Sequence, residues 1–135
     1  VKYILDTNAA SALMRGDPRV VDRLARTSRE AVGIPQPVLA EIAYGIERLP
    51  RSRRRENLRR RLELLRSELK RCEWSDAVSE RFGEIKAALE KREQRIEDFD
   101  VAIAAHAVAY DAILVTANTD HMRRVPGLTV EDWSA

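Results

Sequence analysis

Three acidic residues in this sequence lie against apolar segments rather than in charged runs. Asp6 follows Val1-Lys2-Tyr3-Ile4-Leu5 and precedes Thr7 and Asn8. Glu41 sits inside Val38-Leu39-Ala40-Glu41-Ile42-Ala43-Tyr44-Gly45. Asp100 opens the Ala-rich run Val101-Ala102-Ile103-Ala104-Ala105-His106-Ala107. Each has an ordinary explanation. Asp, Thr and Asn cap helices well; Glu is mostly exposed and fits the solvent side of an amphipathic helix; an Asp in a first helical turn complements the helix dipole. Taken together the acids allow more. Clustered carboxylates repel and raise one another's pKa unless a cation holds them together. An all-oxygen set suits Mg²⁺ or Mn²⁺. Such an ion activates water and stabilises charge on a phosphate oxygen. That is the chemistry of phosphodiester hydrolysis, and it needs neither a nucleophilic Ser nor a catalytic His.

Other chemistries find less support. His106 has no second His or Cys at ligand spacing and His121 has no partner motif, so a zinc site is not expected and His106 reads as a structural helix residue. A phosphatase of the haloacid dehalogenase type needs a second Asp two residues after the first, where this chain has Asn8. No Gly-rich phosphate loop of the Walker type occurs, and no Lys follows Thr116 as it would in a response-regulator receiver domain. Arg51 to Arg61 holds seven arginines against one Glu. Arg53, Arg54 and Arg55 are the candidates there for contacting nucleic-acid phosphates. The competing reading is a solvated helix face, since no aromatic residue is interleaved for base stacking.

These residues need a scaffold that brings distant segments together. Val1–Leu5, Ala31–Pro35, Arg71–Trp74, Ile113–Thr116 and Leu128–Val130 read as short strands. Helical spacing runs over Ala9–Met14, Arg19–Arg26, Val38–Leu49, Ser52–Lys70, Asp76–Lys91 and from Asp98 or Asp100 to Ala109, with a helical turn at Thr119–Arg124. Strands alternating with helices predict a parallel sheet with helices on both faces. Ligands of such sheets bind beyond the carboxyl ends of the strands. Asp6-Thr7-Asn8 and Thr116-Ala117-Asn118-Thr119-Asp120 both occupy that place.

The chain has 135 residues, enough for one core. Its net charge of +2 is too small to imply a nucleic-acid partner by itself. A single cysteine, Cys72, excludes an internal disulfide and suits a reducing compartment. No apolar run approaches the ~18–20 residues that span a bilayer. The apolar stretch before Asp6 is too short for a signal peptide. A cytoplasmic location is the expectation.

With these residues in view, the chain resembles the PIN-domain ribonucleases, specifically the VapC-like toxins of bacterial toxin–antitoxin pairs. Tyr3-Ile4-Leu5-Asp6-Thr7-Asn8, Val38 to Gly45 and Phe99 to Ala107 are similar to that family's first three acidic motifs. Leu114 to Thr119 resembles the fourth region, and Leu128-Thr129-Val130-Glu131-Asp132-Trp133 the usual ending. The resemblance implies one PIN-like domain over residues 1–135, a three-layer α/β sandwich with a short, mainly parallel central sheet flanked by helices. It implies an Mg²⁺- or Mn²⁺-dependent endoribonuclease with Asp6, Glu41 and Asp100 as acidic ligands and Asn8 and Thr116 in support. It further implies a cognate VapB-like antitoxin that blocks the site, and a toxin homodimer. The sequence departs from the family at the fourth acid, commonly found between residues 116 and 122 just before an aromatic residue. His121 and Met122 stand there, leaving Asp120 as the nearest acid and Asn118 as the polar residue closest to the strand end. One tightly held ion is expected, with a second that is weak or arrives with substrate. The alternative function is a non-catalytic nucleic-acid-binding or regulatory module working through the arginine-rich helix.

Overall fold

The computed structural model describes all 135 residues. Five strands form one sheet: β1 (Tyr3–Leu5), β2 (Val32–Pro35), β3 (Lys70–Cys72), β4 (Ile113–Val115) and β5 (Val130–Glu131). Their order is β3-β2-β1-β4-β5 and every pairing is parallel. Seven α-helices connect them: α1 (Thr7–Met14), α2 (Pro18–Ala25), α3 (Gln36–Glu47), α4 (Arg53–Glu68), α5 (Asp76–Lys91), α6 (Asp98–Ala109) and α7 (Thr119–Met122). The first strand of the chain is the central one. Ile4 is paired with Gly33 on one side and Leu114 on the other. Strands covered by helices on both faces are apolar throughout. Accordingly Ile4, Leu5, Val32, Ile34, Leu114 and Val115 are all buried.

Local chemistry sets the helix starts. Asp6, Asp17, Ser52 and Ser75 each accept a backbone N–H from the first turn of α1, α2, α4 and α5. Pro18 opens α2, where its fixed φ is suited and its missing N–H costs nothing. In α6 every residue from Val101 to Ala107 is buried, because the small Ala side chains let α5 and the sheet approach closely. On α4, Leu62 and Leu65 face inward. Its arginines are divided: Arg55 and Arg59 both pair with Glu47 at 2.7 and 2.6 Å, and Arg61 Nη1 donates to the Met14 carbonyl at 2.7 Å, tying α4 to the end of α1.

Most boundaries differ from the sequence reading by one or two residues, and two of the differences have a visible cause. The long helix ends at Glu68 and β3 begins at Lys70, because Lys70, Arg71 and Cys72 pair with Gly33, Ile34 and Pro35. The last strand is Val130–Glu131 rather than Leu128–Val130, displaced by the turn at Gly127, whose φ of 77° suits a residue without a side chain. No helix is long and apolar enough to cross a membrane.

Candidate active site

The three candidate acids come from the end of β1, from within α3 and from the first turn of α6. Asp6 follows β1 and is 5% exposed. Its Oδ1 accepts the Ala9 N–H at 2.8 Å, so capping accounts for one of its two oxygens. Capping does not account for Asp100. Glu97 is the residue before α6, and no side chain caps that helix. Asp98 is drawn to Lys86 at 3.0 Å, leaving Asp100 half-buried in the first turn. Glu41 is half-buried on α3 and accepts the Thr7 hydroxyl. It therefore faces α1 and the sheet edge, not open solvent.

The three acids share one field. Burial pushes the Asp6 carboxyl above the usual carboxylate range; the Thr116 hydroxyl and the Ala9 N–H oppose this, and the negative charges of Glu41 and Asp132 add to it. Burial also raises Asp100, reinforced by Glu41, Asp6 and Glu97 and opposed by His121. As the side chains stand, no three acidic, His or Cys groups converge closely enough to ligate one ion. An all-oxygen set of one buried and two half-buried carboxylates is of the chemistry that a hard divalent cation takes, and such an ion would offset their charge.

The remaining sequence candidates are placed as follows. Thr116 is 1% exposed; its Oγ1 accepts the Asn118 N–H at 3.0 Å, and its hydroxyl bears on Asp6. Asn118 Oδ1 accepts from His121 Nδ1 at 2.8 Å. Asn8 is exposed on α1 and lines a cavity of about 290 Å³ with Thr116 and Asp132. Asp120 is exposed on α7 and is not among the charges that act on Asp6 or Asp100. The acids that do act on them, besides the original three, are Asp132 and Glu97. Neither was a candidate from the sequence. Asp132 shares with Asp6 its place just past a strand, but β5 is only Val130–Glu131 and lacks the apolar run that marks β1.

Two further openings adjoin the acids. One, of about 640 Å³, runs from Thr7 and Glu41 to Arg15, Arg54, Asn57 and Arg61. The other, of about 470 Å³, holds Asp100, Glu97, Asp98, Arg95 and His121. Of the three arginines singled out in α4, Arg54 alone lines the first opening. Arg55 faces another patch, with Arg51, Arg59 and Arg60, and Arg53 lines neither.

His106 lies apart from this chemistry. It is 0% exposed and its Nδ1 donates to the Ala102 carbonyl at 2.7 Å. Since a carbonyl only accepts, Nδ1 carries the proton and Nε2 is a bare acceptor, buried without a partner. Trp74 packs edge-on at 5.5 Å and Tyr110 stacks at 6.4 Å. Burial holds its pKa below the ordinary histidine value.

The PIN domain family matches residues 3–128. Among characterised relatives, ribonuclease VapC2 of Rickettsia felis is 31% identical, over 97% of each chain. The tRNA(fMet)-specific endonuclease VapC of Shigella flexneri is also 31% identical, over 99% of each. Among solved structures, VapBC2 from Rickettsia felis bound to a promoter DNA fragment aligns with a TM-score of 0.84 and 30% identity, over 98% of this chain and 99% of that one. DNA-bound VapBC from Salmonella typhimurium aligns with a TM-score of 0.89 and 27% identity, over 98% of each. Acids from three separate elements, gathered at the carboxyl edge of a parallel sheet in a chain so matched along its length, identify it as a member of the PIN-domain family, among the VapC ribonucleases.

Proposed function

We propose that this chain is a divalent-metal-dependent endoribonuclease, the toxin of a toxin–antitoxin pair. The observation that carries this reading is the gathering of Asp6, Glu41 and Asp100 from β1, α3 and α6 at one edge. Those three carboxylates would hold Mg²⁺ or Mn²⁺. Such an ion supplies a water of lowered pKa and charge stabilisation for the phosphate oxygens.

The chain's own residues prepare the site. The Thr7 hydroxyl turns Glu41 toward Asp6. Thr116 and the Ala9 N–H fix the Asp6 carboxylate against a buried background. Asn118 sets the ring of His121, whose charge bears on Asp100. Arg15 and Arg54 on one side and Arg95 on the other would accept the phosphates flanking the cut. The half-apolar opening beside Glu41 would also be reached by a VapB-like antitoxin, since relatives of this fold are solved as VapBC complexes. A homodimer and a cytoplasmic location complete the reading.

The test is Asp100→Asn, assayed on RNA with and without EDTA and by growth on induced expression. Cleavage and growth inhibition are expected to vanish while the fold persists. Cleavage at the wild-type rate would refute the assignment. The competing reading, a binding module working through α4, expects RNA binding that survives EDTA and Asp100→Asn and is lost on charge reversal at Arg53, Arg54 and Arg55.

A further inference from the structure

We propose that Asp132 is a fourth acidic group of this site, gripping the divalent cation through its water shell from the β5 side of Asp6. The inference rests on the reading of Asp6, Glu41 and Asp100 as the metal-holding set.

Strand register carries the argument. Leu5 pairs with Val115, and Val115 pairs with Glu131. The ladder continues one residue further on both sides: the Asp6 N–H donates to Val115 O at 3.0 Å, and the Thr116 N–H donates to Glu131 O at 3.0 Å. Asp6, Thr116 and Asp132 therefore form one row across three adjacent strands, just past their carboxyl ends. Residues in one row of a parallel sheet point to the same face. Neighbouring strands lie about 4.8 Å apart, so Asp132 stands about 10 Å from Asp6, backbone to backbone, with Thr116 between. Over that span an ion and one of its waters would fit between two Asp side chains, whereas direct contact of both with one ion would not. A cavity of about 290 Å³ beside the row is lined by Asn8, Arg15, Asp17, Thr116 and Asp132 among others.

Asp132 is also held firmly. Its Oδ1 accepts both the Ser134 N–H at 2.8 Å and the Ser134 hydroxyl at 2.6 Å, which leaves Oδ2 available. On one side of it Glu131 accepts from Arg23 and from Trp133 Nε1. On the other, Trp133 is 2% exposed and packs against Tyr3 at 5.3 Å. A carboxylate so fixed loses little freedom on taking up a cation's water. The row also explains how the site manages with an exposed Asp120: the acid lies after β5, one strand beyond Thr116, instead of after β4.

Mn²⁺ binding to the full chain, followed by the paramagnetic resonance of free Mn²⁺, tests this without reference to activity. Asp132→Asn keeps the oxygen that Ser134 needs and is expected to weaken Mn²⁺ about tenfold or more, the usual cost of losing an outer carboxylate. Asp132→Glu, which keeps the charge, is expected to bind more tightly than Asp132→Asn. Wild-type affinity in Asp132→Asn overturns the inference, and so does equal weakening in both variants. A larger loss in Asp120→Asn than in Asp132→Asn overturns it too. If Asp132→Asn does not fold, Ser134→Ala carries the test: it removes the hydroxyl that holds Asp132 Oδ1 and leaves the Ser134 N–H and the charge in place, so weaker Mn²⁺ binding supports the inference and unchanged binding overturns it. Asp100→Asn is the separate control. Wild-type Mn²⁺ affinity there would mean that the metal site itself is misplaced, a failure distinct from that of Asp132 alone.

Discussion

Replacing Gly33 by Ala is expected to destabilise the sheet at the strand that aims Glu41. Gly33 lies in β2 between Ile4 of β1 and Lys70 of β3. A Cβ placed there would come within 2.5 Å of Cys72 Sγ and 3.2 Å of a Val1 methyl. The first distance is roughly 1 Å inside the optimum for such a pair. Cys72 is 1% exposed in the core, so neither sulfur nor strand has free space to yield into. Overpacking of this kind costs about 1–3 kcal/mol. For a chain of this size that is a fall in Tm of roughly 4–12 °C. Urea denaturation of Gly33→Ala, Cys72→Ala and the double variant separates the clash from other effects. Removing Sγ should return about 1 kcal/mol or more of the Gly33→Ala cost as a coupling energy. Because β2 runs directly into α3, RNA cleavage by Gly33→Ala should fall and recover in the double variant. A neutral Gly33→Ala, or a cost unchanged in the Cys72→Ala background, would refute the packing argument.

Three other outcomes follow from the structure. The folded pKa of His106 lies below its unfolded value of about 6.5, so the unfolded chain takes up the proton first as pH falls. Stability should then decline from about pH 6.5 downward by up to ~1.4 kcal/mol per pH unit; His106→Leu should flatten this slope in denaturant titrations, and an unchanged slope would exclude His106 as its source. Asp6 and Asp100 are raised on folding. Their contribution is present below the ordinary carboxylate pKa and is lost as pH rises through the folded values, so Mn²⁺ at neutral pH should raise the wild-type Tm. Asp100→Asn should raise the metal-free Tm while abolishing the Mn²⁺ response, as measured by scanning fluorimetry. Finally, Arg54→Glu should weaken RNA cleavage through KM more than Arg55→Glu does, because Arg55 is already paired with Glu47 and faces away from the acids; equal effects would argue for diffuse charge alone.

Much of the architecture is legible in the chain because its signals are local. Short apolar runs end at Asp6, Pro35 and Thr116, and helices begin at residues whose side chains visibly cap them. The exceptions are those set by partners distant in sequence. The long helix stops early because Lys70 pairs with Gly33, which no local propensity reports. Asp132 joins Asp6 only through the strand order, with Thr116 as intermediary. The separate fates of Arg53, Arg54 and Arg55 depend on the rotation of α4 against α1 and α3. For Asp100 the local reading holds as far as it goes: α6 begins at Asp98 and Asp100 lies in its first turn, where it complements the dipole without capping the helix.

The central position of β1 also bears on when activity becomes available during synthesis. β1 is flanked by β2, made soon after it, and by β4, made more than a hundred residues later. Half of the hydrogen-bonding edge beneath Asp6 is therefore missing until Ile113–Val115 has left the ribosome, and Asp100 precedes it only by the length of α6. A nascent chain thus carries Asp6 through more than a hundred residues of synthesis before the strand that flanks it can pair, and the site gains its full surroundings only once β4 is in place.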